Sequence, residues 1–366
     1  MPVTPIYLDY NATAPMYPEV RAVMQALLAD PLNPSSVHSF GRKARKLIED
    51  ARLELAKAVS CFPQEIIFVG SGTEANNLAL HGVAETDIWI SAIEHASVAK
   101  AVPHARRIPV TAQGVLDVEA LAVMLAQYPA PKLVSVMLAN NETGVIQPVR
   151  EVVELCRPLG IRVHCDVVQG LGKIPVDMGV LGVDMMTLAA HKMGGPVGAA
   201  ALVVRQGYAT KTHILGGGQE LNRRAGTENV AALAGWAKAL ELSAQGNWQP
   251  QVREWFEALE VQLMAAGAEV LGHAAPRLPN TLSVRMPHMK AETQLMHFDL
   301  CGLAVSAGSA CSSGRIEPSA VIQAMGVPAK EAAEVIRVSA GWATQPSDLE
   351  AFAQAWLKLA KRAKIT

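Results

Sequence analysis

Two neighbouring segments near the middle of the chain carry an aspartate and a lysine in unusual surroundings. Asp166 follows the apolar run IRVHC, and Lys192 stands between the apolar run MMTLAA and a Gly-Gly-Pro turn, with His191 beside it. Desolvation lowers the pKa of a lysine and makes its amine a nucleophile toward an aldehyde. A carboxylate keeps a pyridine nitrogen protonated, so this pair suits pyridoxal phosphate chemistry. A helix-capping aspartate and an ordinary lysine are the alternatives, and the pair alone leaves them open.

The segment FVGSGTEANNLALHG has the pattern of a strand, a glycine-bearing turn and a helix start. Residues Gly70 to Thr73, including Gly72, would leave backbone N–H groups at the helix N-terminus, which predicts a phosphate cradle. An ordinary turn capped by Ser71 or Thr73 is the commoner explanation of such a segment. His95, in the segment EHASV, either lies over a flat ring and moves protons or is a buried structural histidine.

Two further residues that could take part in catalysis or binding lie in the last sixth of the chain. Cys311 stands among serine, glycine and alanine in VSAGSACSSGRIEP, a composition typical of an exposed loop, and nearby Arg315 favours its thiolate. A surface thiol without a role is the alternative. Arg337 lies in the apolar run EVIRVSAG, where a guanidinium needs an anion. That anion is either a bound carboxylate or an acid of the same domain.

The elements that position these residues are short apolar runs that alternate with helical patterns. Continuous apolar runs separated by helices predict an α/β fold with a mostly parallel sheet covered on both faces. Ligands of such sheets bind beyond the carboxyl ends of the strands. Asn141, Asp166 and Lys192 each follow an apolar run and are therefore expected at that edge.

The pattern of the sequence changes near Gly246. There the polar stretch SAQGNWQPQ precedes a long helical pattern, which is followed by separate strand-like segments. We predict an N-terminal arm over residues 1–14, which packs against the smaller domain. A large cofactor-binding domain is predicted over residues 15–246. A small C-terminal α/β domain is predicted over residues 247–366.

Composition excludes several classes of function. The 366 residues are 50% hydrophobic and 18% charged, with a net charge of -1, so nothing predicts a nucleic-acid or membrane partner. The five cysteines are scattered without a C-x-x-C pair, which argues against a disulfide framework and against a metal site. No export signal is visible at the N-terminus, and we expect a cytoplasmic protein.

The motifs SGTEANN, EH, NNETG, DVVQ, HK, AGTEN, GSAC and IR, in this order, resemble those of cysteine desulfurases of the NifS/IscS type. These enzymes belong to the class-V aminotransferase group of fold-type I pyridoxal phosphate enzymes, and the likeness runs from Leu8 to Ala340. It implies a seven-stranded type of sheet between helices and a smaller C-terminal domain. It also implies conversion of L-cysteine into L-alanine. The sulfur would be held as a persulfide on Cys311 and passed to an acceptor protein for iron–sulfur cluster assembly or thiolation.

The resemblance also implies a role for each candidate residue. Lys192 would bind the cofactor aldehyde and act as the base, and Asp166 would pair with the ring nitrogen. Thr227, in AGTEN, would reach the phosphate of the neighbouring subunit, which implies a homodimer with shared active sites. His95 would stack on the ring and assist proton transfer, and Gln169 would bind the ring hydroxyl. Asn141 and Arg337 would bind the substrate carboxylate, with Asn141 also contacting the cofactor. The implied phosphate contacts are Gly72, Thr73 and His191.

Three departures from the family pattern are visible. Ala189 stands where the family has a serine that contacts the phosphate, so one hydrogen bond is missing unless Thr187 or a water replaces it. The stretch from Leu80 to Pro109 is shorter than usual. We also expect that the longer C-terminal tail with which housekeeping members dock their scaffold is lacking, which leaves the sulfur acceptor open.

Three alternative functions remain at this stage. A selenocysteine lyase shares the cofactor chemistry, whereas a plain transaminase has no use for Cys311. A degenerate homologue that acts as an assembly scaffold is encouraged only by Ala189. Retention of the lysine, the aspartate and the cysteine argues against it.

Overall fold

The computed structural model describes residues 5–208, 210–308 and 318–363. Its strands form a large sheet, a small antiparallel sheet and one short parallel pair. The strands are β1 (Ile6–Tyr7), β2 (Ile66–Val69), β3 (Ile88–Ser91), β4 (Arg106–Ile108), β5 (Leu133–Met137), β6 (Arg162–Asp166), β7 (Met185–Ala189), β8 (Ala200–Val204), β9 (Glu269–Val270), β10 (Thr281–Arg285), β11 (Leu303–Ala304) and β12 (Val335–Ser339).

The helices surround these sheets. None of the described helices combines the length and the apolar character that crossing a membrane requires. The helices are α1 (Pro18–Leu27), α2 (Ser39–Val59), α3 (Gly72–Leu80), α4 (Ala96–Ala99), α5 (Val118–Gln127), α6 (Val149–Cys156), α7 (Met178–Leu181), α8 (Gln219–Asn222), α9 (Val230–Gln245), α10 (Gln249–Ala265), α11 (Ala291–Leu300), α12 (Ala320–Ala324), α13 (Ala329–Ala332) and α14 (Pro346–Arg362).

The large sheet has seven strands in the order β2-β8-β7-β6-β5-β3-β4. Strands β3 to β7 pair in parallel, and β8 runs antiparallel to both of its neighbours. The predicted α/β fold with a mostly parallel sheet is therefore confirmed. The sequence reading missed β4, a three-residue edge strand with two exposed arginines that lacks the apolar run of the others.

Both faces of the large sheet are covered by helices, which explains why its central strands are mostly apolar on both sides. Ile66 and Phe68 of β2 join the core formed with α1, α2, α6 and α9. The alternate residues Ile67 and Val69 join a second core with α3 on the other face. Since successive side chains of a strand point to opposite faces, a doubly covered strand is buried at every position and is therefore mostly apolar.

A third core, the C-terminal core, lies around the small sheet, whose strand order is β12-β10-β9. Helices α10, α11 and α14 pack there, with Phe298, Phe352 and Trp356 fully buried. The N-terminal segment joins this core: β1 pairs in parallel with β11, and Leu8 is completely buried. A side chain at Gly341 would collide with the ring of Tyr10, so glycine permits this close approach. The division at residues 14 and 246 stays a prediction.

The carboxyl ends of the parallel strands converge on one edge of the large sheet. Asp166 ends β6, and Lys192 closes a short 3-10 turn directly after β7. Gly72 begins α3 after β2, and His95 precedes α4 after β3. This is the edge at which α/β sheets bind their ligands.

The packing of the N-terminal segment gives a stability prediction. Leu8→Ala should lower the free energy of unfolding by about 2–5 kcal/mol, because it leaves a cavity in the C-terminal core. The exposed Leu300 at the end of α11 supplies the control, because Leu300→Ala should change the free energy of unfolding by less than about 0.5 kcal/mol. Urea unfolding followed by tryptophan fluorescence measures both. Equal midpoints for Leu8→Ala and the wild type would show that the segment does not pack there.

Candidate active site

A cavity of about 570 Å³ lies at the carboxyl edge of the large sheet and continues to the C-terminal core. The structure brings most of the sequence-predicted residues together around it, although their roles stay predictions. Thr227 is exposed and is not part of the cavity wall. Cys311 lies outside the described residues. The predicted residues that line the cavity are Gly72, Thr73, His95, Asn141, Asp166, Gln169, His191, Lys192 and Arg337.

The amine of Lys192 is held by the N-terminal segment. Its Nζ donates to the backbone carbonyls of Asn11 at 2.7 Å and of Ala12 at 2.8 Å. Burial lowers the pKa of Lys192 to about 8, and the charge of Arg337 acts in the same direction. About a tenth of this amine is therefore uncharged at pH 7, and that fraction is nucleophilic.

The carboxylate of Asp166 is fixed by a donor on each oxygen. Oδ2 accepts from Asn76 Nδ2 at 2.8 Å, and Oδ1 accepts from the backbone N–H of Val168 at 3.0 Å. Asn76 Nδ2 also donates to Ser97 Oγ at 2.8 Å, and that hydroxyl lies 2.7 Å from His95 Nδ1. A continuous buried chain of hydrogen bonds thus joins the aspartate to the histidine.

His95 is neutral in this arrangement. Its Nδ1 accepts from the backbone N–H of Ser97 at 3.1 Å, so the proton of the neutral ring is on Nε2. Burial lowers the pKa of His95, and the charge of Asp166 opposes this only in part. The imidazole is available to stack on a ring and to exchange a proton through Nε2.

Glu94 is a buried acid in the cavity wall that the sequence reading named only as part of the EH motif. Its Oε1 accepts from the backbone N–H of Met137 at 2.7 Å, and its Oε2 has no partner among the described residues. Burial, followed by the charge of Asp166, raises the pKa of Glu94 to about 8. At neutral pH this side chain carries a proton that it can donate into the cavity.

The N-terminus of α3 faces the same space. Ser71 caps the helix, because its Oγ accepts from Glu74 N at 3.1 Å. The first N–H groups of a helix lack intrahelical acceptors, so those of Gly72 and Thr73 remain for an anion. A Cβ at Gly72 would lie only 3.3 Å from Val168 Cγ2, which shows how tightly the cradle is packed. The cap and the cradle therefore coexist.

The sequence predicts that Arg337 pairs with either a bound carboxylate or an acid of its own domain. In the structure it forms an internal salt bridge, but with an acid of the N-terminal segment. Its Nη2 lies 2.5 Å from Asp9 Oδ1 in the N-terminal segment. Its Nη1 donates to the backbone carbonyl of Asn141 at 2.9 Å. Its Nε is buried without a partner among the described residues, so a donor remains for an anionic ligand.

The comparisons with known proteins place these observations in a family. The model of the family Aminotransferase class-V matches residues 6–352. The chain is 40% identical over 363 residues to the cysteine desulfurase IscS of Dictyoglomus turgidum, covering 94% of this chain and 91% of that protein.

Two solved structures share the fold. The NifS-like protein from Rickettsia africae superposes with a TM-score of 0.91 at 37% identity, covering 98% of this chain and 99% of that one. SspA, solved in complex with cysteine, has a TM-score of 0.79 at 28% identity, covering 91% and 98% of the two chains.

This chain belongs to the class-V aminotransferase family, among the cysteine desulfurases. The predicted family, enzyme class and fold-type I architecture are thereby confirmed.

The cavity departs from the desulfurase pattern at one position beside the phosphate cradle. Ala189 is buried beside the cradle, about 3.8 Å from where a Cβ on Gly72 would lie. Thr187 does not offer its hydroxyl as a replacement, because its Oγ1 is 3.0 Å from Nε2 of the buried His164. The hydroxyl is engaged inside the sheet, so Thr187 is excluded as the substitute for the missing serine.

The lowered pKa of Lys192 gives a pH prediction. Labelling of this amine in the cofactor-free protein by a small amine-directed reagent should rise through a midpoint near pH 8, because only the neutral amine reacts and burial favours that form. Peptide mass spectrometry across a pH series measures it, with the exposed Lys46 read in the same samples. A profile near pH 10.5, the ordinary value, would contradict the desolvated-amine assignment.

Proposed function

We propose that this desulfurase uses pyridoxal phosphate to convert L-cysteine into L-alanine and passes the sulfur to Cys311. The observation that carries the proposal is that Lys192, Asp166, His95 and the N-terminus of α3 line one cavity. The cofactor requires an amine for its aldehyde and a partner for its ring nitrogen, which Lys192 and Asp166 can supply. The helix N-terminus suits its phosphate, and the imidazole can stack on its ring.

The residues of the cavity fit the cofactor. The buried Oε2 of Glu94, Oδ1 of Asn76 and Nε of Arg337 lack partners among the described residues, as expected of a wall built around a polar ligand. Lys192 would hold the aldehyde, Asp166 the ring nitrogen and Gln169 the ring hydroxyl. His95 would stack on the ring. The phosphate would be held by Gly72, Thr73 and His191.

Bound pyridoxal phosphate would withdraw electrons from the substrate Cα, which makes its proton acidic and the bond from Cβ to sulfur labile. Lys192 would carry the Cα proton, since an amine with a pKa of about 8 both accepts and returns protons near neutral pH. The hydrogen bonds from Asn76 and Val168 keep the carboxylate of Asp166 directed at the ring nitrogen.

Arg337 and Asn141 would hold the substrate carboxylate. Arg337 lines the cavity and is 4% exposed, and its Nε has no partner among the described residues. Asp9 holds the guanidinium in place by accepting from Nη2 alone. A guanidinium prearranged in this way matches a carboxylate with little loss of side-chain entropy.

The sulfur step assigned to Cys311 rests on the sequence and on the family. Gly308 lines the cavity, and Cys311 follows it by three residues, a length of chain that spans at most about 11 Å. A bond forms between the Cys311 sulfur and the substrate sulfur while the bond from the substrate sulfur to Cβ breaks. The electron pair stays with the carbon fragment, which takes up a proton at Cβ and leaves as alanine. The protein keeps a persulfide without an external oxidant.

The proposed assembly is a homodimer in which Thr227 serves the phosphate of the neighbouring subunit. Exposure of Thr227 outside its own cavity supports this, as do the exposed apolar side chains of Val37, Leu215 and Leu221. An acceptor or scaffold protein would then take the sulfur toward iron–sulfur clusters or thiolation. A reduced thiol is required throughout, which favours the cytoplasm.

The role of Cys311 is tested by substitution. Cys311→Ser should abolish alanine release from L-cysteine, because the hydroxyl is a far weaker nucleophile toward sulfur, while the visible band of the bound cofactor persists. Cys301→Ser, at the one exposed cysteine among those that the structure describes, is the matched control and should retain full turnover. Undiminished alanine release by Cys311→Ser would refute the acceptor assignment.

The role of Arg337 is tested by steady-state kinetics. Arg337→Ala should raise the KM for L-cysteine about 30-fold or more, as expected when a buried charged hydrogen bond to a ligand is lost. Arg285→Ala is the matched control, since this arginine of the adjacent strand pairs with Glu269, Glu331 and Glu334 away from the cavity. An unchanged KM in Arg337→Ala would remove the residue from the substrate site.

A further inference from the structure

Lys173 is a buried lysine to which the proposed mechanism gives no task. It is 4% exposed, and its Nζ donates to Gln169 Oε1 at 2.6 Å and to Asn11 Oδ1 at 2.7 Å. Neither partner is a carboxylate. Lysines are almost never fully buried without an anionic partner, so its retention here calls for a reason other than packing.

The contact with Lys173 decides which way the amide of Gln169 points. The Nζ of Lys173 donates to the amide oxygen of Gln169, so the NH₂ group of that amide points away from the lysine. Gln169 Nε2 then donates one N–H to the carbonyl of Asn11 at 3.0 Å. In the reverse orientation the NH₂ group would face Nζ, whose hydrogens are directed at Gln169 and at Asn11 Oδ1, and the Gln169 oxygen would face the carbonyl oxygen of Asn11. One N–H of Gln169 thus remains for a ligand in the cavity that Gln169 lines.

The same lysine also fixes the acceptor of the catalytic amine. Asn11 is held on its side-chain oxygen by Lys173 and on its Nδ2 by Thr281 Oγ1 at 2.9 Å. Its backbone carbonyl accepts from Lys192 Nζ at 2.7 Å and from Gln169. The amine of Lys173 therefore contacts Gln169, which would meet the ring hydroxyl, and Asn11, which holds Lys192 near the aldehyde position.

We propose that Lys173 is a positioning residue that directs an N–H of Gln169 at the ring hydroxyl of pyridoxal phosphate. It acts through the Gln169 amide and does not touch the reacting atoms. The proposal rests on the proposed function, because it assumes that this cofactor occupies the cavity. A lysine that only fills space under the N-terminal segment is the competing explanation, and it predicts no dependence on the ring hydroxyl.

The test compares two ligands on the cofactor-free full-length protein: pyridoxal phosphate and its analogue without the ring hydroxyl. The measured quantity is the ratio of their binding affinities. Lys173→Met, which removes the donors at nearly constant volume, should lower this ratio about tenfold, the worth of one directed hydrogen bond. The ratio in Lys46→Met, at an exposed lysine, should equal that of the wild type.

Because the ratio cancels losses common to both ligands, a general structural defect does not move it. Lys173→Gln, which keeps an amide donor, should give an intermediate ratio and serves as the second variant if Lys173→Met does not fold. In a Gln169→Leu background, the change at Lys173 should have no further effect on the ratio. Equal ratios in the wild type and in the Lys173 variants would overturn the positioning role alone. Failure of the wild type to bind pyridoxal phosphate would overturn the proposed function as well.

Discussion

The whole site depends on a half-buried lysine amine, that of Lys192, which forms no ion pair with the residues that the structure describes. Lys192 gives its hydrogens to two backbone carbonyls, of Asn11 and Ala12, and those carbonyls belong to the N-terminal segment rather than to the sheet. Neutral oxygens hold the amine in place but compensate poorly for lost water, so its charged form is disfavoured. The segment that supplies them is itself held by the C-terminal core, through the pairing of β1 with β11. The reactivity of the Lys192 amine therefore depends on how distant parts of the chain pack together.

On the other side of the cavity, the local surroundings likewise determine the protonation of the side chains. Both oxygens of Asp166 accept N–H donors, from Asn76 and from Val168, whereas burial and the charge of Asp166 raise the pKa of Glu94 to about 8. Two neighbouring carboxyl groups thus have different surroundings, and the protonated Glu94 can act as a neutral donor beside the carboxylate that would meet the ring nitrogen. The neutral His95 completes this side without adding charge.

The sequence predicts the fold and the strand-end residues well, because both depend on local patterns. Apolar runs mark strands that helices cover on both faces, and the residues after those runs must meet at one edge. What the sequence does not reveal is the supporting network. Asn76, Ser97 and Lys173 are ordinary polar residues by local pattern, and their partners lie far along the chain. The pairing of Arg337 with Asp9 joins the two ends of the chain and has no local signal either.

The most direct test of the account is to reduce the purified protein with borohydride in the presence of pyridoxal phosphate and to map the label by peptide mass spectrometry. We expect stoichiometric labelling of Lys192 and none of Lys173, although both amines donate to Asn11. A label on Lys173 or on surface lysines, with Lys192 unmodified, would contradict the assignment of the site.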